Sequence, residues 1–396
     1  MNYDIIIVGA GLVGLSTAYK AKLKNPGYKI LILEKENDVS LHQSGHNSGV
    51  IHSGIYYKPG SLKAKNCIEG YNSIINFATE YGIRYDLCGK IVVATSQEEV
   101  PLLDNIYKRG VENGLQDLKY LSREEFREIE PHCEGIKAIK VPQTGIIDYP
   151  GIAKKIKELF EELGGEIKFN NKVTNIVNRG LEIIVETNNS EYKTKKLISC
   201  AGLYSDKITR MTNKENDVII IPFRGEYYKI NDEKKHLVKH LIYPVPDPNF
   251  PFLGVHFTRM IDGNIEAGPN AVLAFKKEGY KLFDFNFNET MQTLMWPGFR
   301  KIVAKYGKTG LGEVHRSLSK AAFTKALQKL LPEIQEHDLV AGGAGVRAQA
   351  CDRNGALIDD FDIVKNGNII HVRNAPSPAA TSCLSIGNKI SELIEN

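Results

Sequence analysis

The chain has 396 residues, of which 42% are hydrophobic and 25% charged, and its formal net charge at pH 7 is +4. This length exceeds one ordinary hydrophobic core and predicts two domains. The small net charge disfavours a dedicated nucleic-acid surface, which needs a dense basic patch. No apolar run reaches the ~18–20 residues that span a bilayer, and no signal-peptide pattern precedes the first strand. We therefore expect a cytoplasmic protein, whose membrane contact, if any, is peripheral and at the inner face of the cell membrane.

The cysteines have irregular spacing and form no C-x-x-C pair. A reduced compartment explains this spacing better than a disulfide framework or a zinc site. The six residues are Cys67, Cys88, Cys133, Cys200, Cys351 and Cys383.

The N-terminal segment has the pattern of a strand–helix–strand unit. Residues 4–8 are a short β-branched run typical of a buried parallel strand. Residues 15–22 suit a helix, and residues 29–34 form a second buried strand.

A G-x-G-x-x-G motif lies between this strand and this helix, in the segment Gly9, Ala10, Gly11, Leu12, Val13, Gly14. Gly9 permits a tight turn, Gly11 lets a pyrophosphate approach the backbone, and Gly14 allows close helix–strand packing. The helix N-terminus offers free N–H groups to phosphates. Glu34, about 20 residues beyond, is placed to bind ribose hydroxyls. The motif predicts a dinucleotide site.

Two features favour FAD over NAD as the dinucleotide. The nucleotide half stops after one strand–helix–strand unit and continues into a long polar loop, whereas an NAD domain usually continues with regular repeats. Residues 198–202 and a C-terminal glycine-rich segment also have the pattern of extra strands that enclose a larger cofactor.

The polar loop at residues 41–60 contains His42, His46 and His52. We do not expect a metal site, because the sequence places no carboxylate or thiolate beside these histidines. A purely structural loop remains an alternative. A cofactor-facing loop is favoured, since its Asn, Ser and backbone N–H groups suit a flavin edge and a pyrophosphate, and a histidine can take a proton during hydride loss.

Two C-terminal segments complete the predicted site. Residues 342–349 are glycine-rich and contain Arg347, which can bind a carboxylate through two parallel hydrogen bonds; a surface ion pair is the alternative. Residues 374–382 are small and polar and precede a helical stretch at 383–394, whose N-terminus can face the flavin.

The predicted fold class is α/β with an α+β substrate domain. Residues 218–269 change to aromatic and β-branched strands with Pro-rich turns. We expect a Rossmann-type FAD-binding domain built from residues 1–85, 145–215 and 335–396. A mixed antiparallel substrate domain is inserted at residues 86–144 and 216–334.

Several longer stretches are specific enough to indicate a family. They are residues 42–57, 222–227, 243–248, 252–275, 345–350 and 375–382. In these stretches the chain resembles the D-amino-acid-oxidase-like FAD-dependent oxidoreductases, and within them the bacterial L-2-hydroxyglutarate oxidase/dehydrogenase family. The resemblance implies FAD, oxidation of L-2-hydroxyglutarate to 2-oxoglutarate, electron transfer to quinone or oxygen, and Arg347 on the substrate carboxylate.

The expected catalytic residues are His52, His256 and Arg347, with one of the histidines as the base. Arg224 or Arg259 is expected to bind the distal carboxylate, and Tyr57 and Tyr243 to donate hydrogen bonds. The expected FAD-binding residues are Gly9, Ala10, Gly11, Val13, Gly14, Glu34, Lys35, Gln43, Ser44, Asn47, Ser48, Gly49, Val173, Ala201, Gly202, Ala380, Thr381 and Ser382.

Other functions share part of this pattern. A flavin oxidase of glycerol 3-phosphate or of an amino acid would have the same fold and the same arginine. A flavin-binding sensor, an RNA-associated flavoprotein and an NAD-dependent dehydrogenase are further alternatives. A homo-oligomer is compatible with the sequence.

Overall fold

A computed structural model describes residues 2–248 and 253–395. Phe252, the first residue of one family-like stretch, lies outside the described residues. The strands in chain order are β1 (Asn2–Val8), β2 (Ile30–Leu33), β3 (Val50–Ile51), β4 (Tyr85–Asp86), β5 (Lys90–Ala94), β6 (Lys119–Ser122), β7 (Lys137–Val141), β8 (Gly145–Ile147), β9 (Glu166–Lys168), β10 (Val173–Asn178), β11 (Ile183–Thr187), β12 (Glu191–Ser199), β13 (Val218–Ile230), β14 (Leu241–Pro244), β15 (His256–Arg259), β16 (Ile265–Gly268), β17 (Val272–Leu273), β18 (Leu339–Asp352), β19 (Asp362–Asn366) and β20 (Ile369–Asn374).

Ten α-helices connect and cover these strands in the described part of the chain. They are α1 (Leu12–Lys24), α2 (Leu62–Glu80), α3 (Val100–Glu112), α4 (Arg123–Ile129), α5 (Tyr149–Glu162), α6 (Ser205–Thr212), α7 (Phe287–Met295), α8 (Pro297–Leu318), α9 (Lys320–Leu327) and α10 (Cys383–Glu395). Short 3₁₀ turns occur at Gln97–Glu99, Gly202–Tyr204, Asp232–Leu237 and Glu336–Asp338.

The first sheet has eight strands and is parallel around β1. β1 pairs with β2 on one side and β12 on the other, and β9 and β20 extend the parallel region. All four residues of β2 are buried, as expected for a strand covered on both faces. Helices α1, α5 and α10 pack together and share a hydrophobic core with β1 and β2. This confirms the predicted Rossmann-type sheet.

The second sheet has nine strands in the order β17, β13, β16, β15, β14, β5, β7 and β6, with β18 along the other edge of β13. β14 is parallel to β5, and the remaining pairs are antiparallel. The mixed sheet was therefore predicted correctly. One face of it packs against α9 through an apolar cluster that includes Phe257 and Phe323.

The position of β18 differs from the predicted domain boundary. That boundary assigned residues from 335 onward to the FAD-binding domain, but β18 pairs with β13 along its whole length. Two of the glycines in β18 allow other parts of the backbone to approach closely. A Cβ on Gly342 would lie 2.9 Å from the carbonyl oxygen of Tyr227, and one on Gly345 would lie 2.7 Å from that of His46.

A small third sheet of β3, β8 and β4 is formed by segments that lie before and after β5 to β7 in the chain. Its strand β3 immediately precedes His52. Within the described residues, no helix combines the length and the apolar character needed to cross a membrane.

Candidate active site

The glycine motif forms the turn between β1 and α1. Gly9 has a φ of +103°, and a Cβ there would lie 2.6 Å from the carbonyl oxygen of Cys200. A Cβ on Gly14 would lie 2.0 Å from the Gly9 carbonyl oxygen. A Cβ on Gly11 would meet only the Ser44 hydroxyl, at 3.1 Å. The backbone at Gly11 is therefore the part of the turn that a ligand can approach.

The N-terminus of α1 suits an anionic ligand. The N-cap residue, Gly11, has no side chain that could cap the helix, and the first turn of α1 contains no acidic residue. The backbone N–H of Leu12 donates to the Ser44 hydroxyl at 3.0 Å, which ties the polar loop to this helix end. The remaining N–H groups and the positive end of the helix dipole favour a phosphate here.

Glu34 follows β2 and is bonded to the same turn. One carboxylate oxygen accepts the Ala10 N–H at 2.7 Å, and the other accepts the Glu36 N–H at 3.0 Å. Each oxygen has a second lone pair, so the carboxylate retains the capacity to accept ribose hydroxyls. These residues fit the dinucleotide that the sequence predicts.

The loop after β2 is held rigid by its own side chains. Asn47 donates to the carbonyls of Gln43 and Ser44, at 3.1 and 2.8 Å, and accepts the N–H of Gly49 at 2.9 Å. The Asn47 amide is thus bonded within the loop. Ser48 lies in the same loop. The bonds of Asn47 therefore determine the shape of the loop beside the N-terminus of α1.

A charged cluster surrounds His42. The carboxylates of Glu36 and Glu278 lie beside this imidazole, at 2.9 and 3.0 Å, which the sequence analysis did not anticipate. Their oxygens and the His42 nitrogen are close enough together to hold a metal ion. However, the Lys35 ammonium group already lies among them, 2.7 Å from Glu278 and 2.8 Å from His42. The cluster therefore contains its own cation.

The C-terminal turn before α10 contacts the same loop. Thr381 accepts the backbone N–H of His52 at 3.1 Å and shares a hydrogen bond with the Tyr149 hydroxyl at 2.8 Å. The Ser377 hydroxyl lies 3.2 Å from Nε2 of His52. The buried Ser382 hydroxyl has no hydrogen-bond partner among the described residues. The turn, which includes Ala380, thus places small polar groups beside β3.

Three predicted FAD residues lie at the ends of strands of the first sheet. Val173 is buried at the start of β10 within an apolar cluster. Ala201 and Gly202 follow β12, the parallel neighbour of β1. A Cβ on Gly202 would lie 2.9 Å from the Gln43 side chain, so this segment touches the polar loop.

One face of the second sheet carries the polar side chains. Residues directly opposite one another on paired strands share a face, as do alternate residues of one strand. His256 is opposite Gly268, and the β13–β18 pairing places Arg347 opposite Phe223. Following this register across the sheet places Lys90, Tyr227, Tyr243, His256 and Arg347 on one face, which also carries Thr258, Lys229 and Glu266. The opposite face carries the apolar cluster against α9.

This face brings together predicted residues that are distant in sequence. The rings of Tyr243 and His256 are 4.0 Å apart between centroids. The charge of Arg347 acts on the pKa of His52, His256 and Tyr243. The predicted catalytic residues therefore occupy one region.

Both histidines are held neutral at pH 7. Burial, together with the charge of Lys90, lowers the pKa of His52 to about 3. Burial and the charge of Arg347 lower that of His256 to about 3. Nδ1 of His256 lies 2.9 Å from the Gly254 carbonyl oxygen. A carbonyl can only accept, so the Nδ1 proton is fixed there and Nε2 keeps a lone pair.

The two arginines expected to bind a distal carboxylate both have acidic partners within the chain. Arg224 is buried and pairs with Glu226 at 2.8 Å. Arg259 pairs with Asp86. Both guanidinium groups are thus already neutralised by a carboxylate.

Lys90 is the cation that sequence reasoning missed. It is 3% exposed at the start of β5, and its ammonium group lies 4.5 Å from the ring centroid of Tyr56 and 4.9 Å from that of Tyr243. The available signal was a single lysine at the start of the apolar run at residues 91–94.

A family model for FAD dependent oxidoreductases (DAO) matches residues 4–393. The chain belongs to this family. FAD is accordingly its cofactor, and the glycine turn, Glu34 and the N-terminus of α1 are the features that fit it.

Curated relatives and solved structures agree with this assignment. An L-2-hydroxyglutarate dehydrogenase from Indibacter alkaliphilus is 58% identical over 393 residues, which cover 99% of this chain and 98% of the relative. A protein of the same name from Escherichia coli is 45% identical over 389 residues, with 98% and 92% coverage. The structure is similar to that of an FAD-bound L-alpha-glycerophosphate oxidase from Mycoplasma pneumoniae, with a TM-score of 0.81, 24% identity and 100% and 95% coverage. It also resembles a glycine oxidase from Geobacillus kaustophilus, with a TM-score of 0.74, 16% identity and 100% and 95% coverage.

Proposed function

We propose that this protein oxidises L-2-hydroxyglutarate to 2-oxoglutarate with FAD. The observation that carries the proposal is the 58% identity, over almost the whole of both chains, to a protein named L-2-hydroxyglutarate dehydrogenase. The cationic and imidazole face of the second sheet supports it, because a hydroxy acid requires a carboxylate binder and a proton acceptor.

When bound, FAD supplies a two-electron acceptor for the hydride that leaves C2 of the substrate. Arg347 binds the C1 carboxylate through its paired N–H donors, which orients C2. The hydroxyl proton passes to an imidazole, and His52 and His256 are the candidates. His256 has its Nδ1 proton directed to Gly254, so its Nε2 is free to accept. The carboxylates of the bound substrate offset the cations that lower the pKa of both imidazoles.

A substrate panel tests this function. We expect efficient reduction of an artificial acceptor dye with L-2-hydroxyglutarate, and little with glycerol 3-phosphate, glycine or L-proline. Faster turnover of glycerol 3-phosphate or of an amino acid than of L-2-hydroxyglutarate would contradict the proposal and would identify the preferred compound as the substrate. Failure of all these compounds would favour a flavin-binding sensor.

We further propose quinone or oxygen as the electron acceptor and peripheral contact with an anionic membrane surface. Half of the large apolar side chains that are exposed in the described residues lie between Phe275 and Leu318. On α8, four of them share one helix face, and the exposed cations Lys301 and Lys305 lie on the other side of the helix. The four are Val303, Leu311, Val314 and Leu318. Apolar and cationic faces on one helix are typical of interfacial helices.

The test is sedimentation with vesicles of phosphatidylglycerol or phosphatidylcholine. We expect binding to the anionic vesicles, and loss of binding in Leu311→Glu. The matched control is Leu181→Glu, because Leu181 is 89% exposed in the turn between β10 and β11. Equal binding by both variants would contradict membrane contact through α8. A smaller particle for Leu311→Glu by gel filtration would instead assign this face to a homo-oligomer.

A further inference from the structure

The buried lysine on β5 has no assigned function, although it lies on the face that carries the reaction residues. We propose that Lys90 binds the distal carboxylate of a dicarboxylate substrate and so determines the preference for dicarboxylates over monocarboxylates. This inference rests on the proposed function, since it concerns the same substrate site.

Lys90 is buried without an acidic partner in the part of the chain that the structure describes. Among residues 2–248 and 253–395, the Lys90 ammonium group forms no ion pair, and its close contacts are the faces of two tyrosine rings. A buried charge without a counter-ion is costly. By contrast, the equally buried Lys277 pairs with Asp206 at 2.6 Å, and the buried Lys22 donates to two backbone carbonyls. A buried ammonium group of this kind is explained if an anionic ligand supplies the missing charge.

The titratable groups around Lys90 are neutral. The titratable groups that face Lys90 are Cys67 on α2, His52 after β3, and His256 on β15, together with the tyrosine hydroxyls of Tyr56 and Tyr243. These groups are neutral at pH 7 because burial raises the pKa of Cys67 to about 12 and raises the pKa of both tyrosines above the usual value, while burial lowers the pKa of both histidines. Among the described residues, none of these groups that face Lys90 is an anion at pH 7.

Two cations, Lys90 and Arg347, lie on the same side of the sheet. Lys90 and Arg347 both act on the pKa of His52 and His256, so these imidazoles are within electrostatic reach of both cations. A substrate with one carboxylate at each cation would have its C2 hydroxyl near an imidazole. The buried Tyr56 hydroxyl, which has no hydrogen-bond partner among the described residues, is a further polar group beside Lys90.

The experiment compares two enzymes with two substrates of equal length. Lys90→Met removes the charge with little change in volume, and L-2-hydroxyvalerate replaces the distal carboxylate of L-2-hydroxyglutarate with a methyl group. Loss of one partner of a buried charge pair costs about 2–5 kcal/mol, so kcat/KM of the variant for L-2-hydroxyglutarate should fall by roughly 30-fold or more. Its kcat/KM for L-2-hydroxyvalerate should stay unchanged or rise.

The control and the pH profile separate this role from a structural one. Lys140→Met makes the same change at an exposed position on the adjoining strand β7 and should alter neither substrate. Burial lowers the pKa of Lys90 to about 7. Hence kcat/KM of the wild type for L-2-hydroxyglutarate should decline as the pH rises through about 7. Lys90→Arg should remove this decline, and L-2-hydroxyvalerate should never show it.

Equal losses for both substrates in Lys90→Met would overturn the proposal, because Lys90 would then act on the reaction centre. No loss for either would overturn it as well. If the wild type does not oxidise L-2-hydroxyglutarate, the proposed function fails, and the inference is tested by equilibrium binding of glutarate and valerate. Tighter binding of glutarate that Lys90→Met abolishes would support the inference on its own, and equal binding by both enzymes would end it.

Discussion

Gly11→Ala should weaken FAD binding while leaving the protein folded. The added Cβ would meet only the Ser44 hydroxyl at 3.1 Å, and the backbone there is extended, with φ −75° and ψ 173°, which any residue can adopt. The stability of the apoprotein should change by no more than about 1 kcal/mol. A methyl group that obstructs the approaching pyrophosphate should cost about 1–3 kcal/mol of binding, or roughly 5- to 150-fold in Kd.

Gly14→Ala is the matched comparison within the same motif. Its Cβ would lie 2.0 Å from the Gly9 carbonyl oxygen, so β1 and α1 would have to separate. We expect loss of about 3 kcal/mol or more of stability. The assays are thermal unfolding of the apoproteins and FAD titration monitored by flavin fluorescence. Unchanged FAD affinity in Gly11→Ala would refute the reasoning, because the cofactor could not then approach the start of α1 as described.

Three further predictions follow from the site and the core. Arg347→Lys keeps the charge but loses the paired donors. Binding of the transition state should weaken by about 1.5–3 kcal/mol, so kcat/KM should fall roughly 10- to 150-fold, with FAD content unchanged. Because the pKa of His52 and of His256 is lowered to about 3, each becomes charged only below neutral pH. Therefore kcat/KM should not decline as the pH is lowered from about 8 to about 5. Replacing the histidine that acts as the base by Asn should lower kcat throughout that range. A decline of kcat/KM on the acid side near neutral pH would contradict this prediction. Lys277→Met leaves Asp206 buried without its partner, so the free energy of unfolding should fall by about 3–5 kcal/mol. Adding Asp206→Asn should restore part of this stability. Unchanged thermal unfolding of Lys277→Met would refute the prediction.

The first sheet could be predicted because its signals are local. The buried run of β1, the glycine turn and the acid after β2 lie within a single strand–helix–strand unit, and steric limits at Gly9 and Gly14 determine which residues fit. The predicted helix at 15–22 corresponds to α1, and the one at 383–394 to α10. The apolar periodicity of these segments is sufficient to place them.

The arrangement of the second sheet could not be read from the sequence in the same way. Its face is assembled from β13, β14 and β15 together with β5 and β18, which are far from them in the chain. The partner of an arginine is likewise set by tertiary structure, as the pairs of Arg224 with Glu226 and Arg259 with Asp86 illustrate. For the same reason the position of Lys90 beside two tyrosines could not be predicted, although this lysine begins an apolar run.

The central claim is that this protein removes hydride from a hydroxy acid held by its own cations. Anaerobic mixing of the purified flavoprotein with L-2-hydroxyglutarate tests it most directly. We predict loss of the visible flavin absorption with formation of one 2-oxoglutarate per FAD, and no such change with the D enantiomer. A flavin that remains oxidised with L-2-hydroxyglutarate would contradict the account.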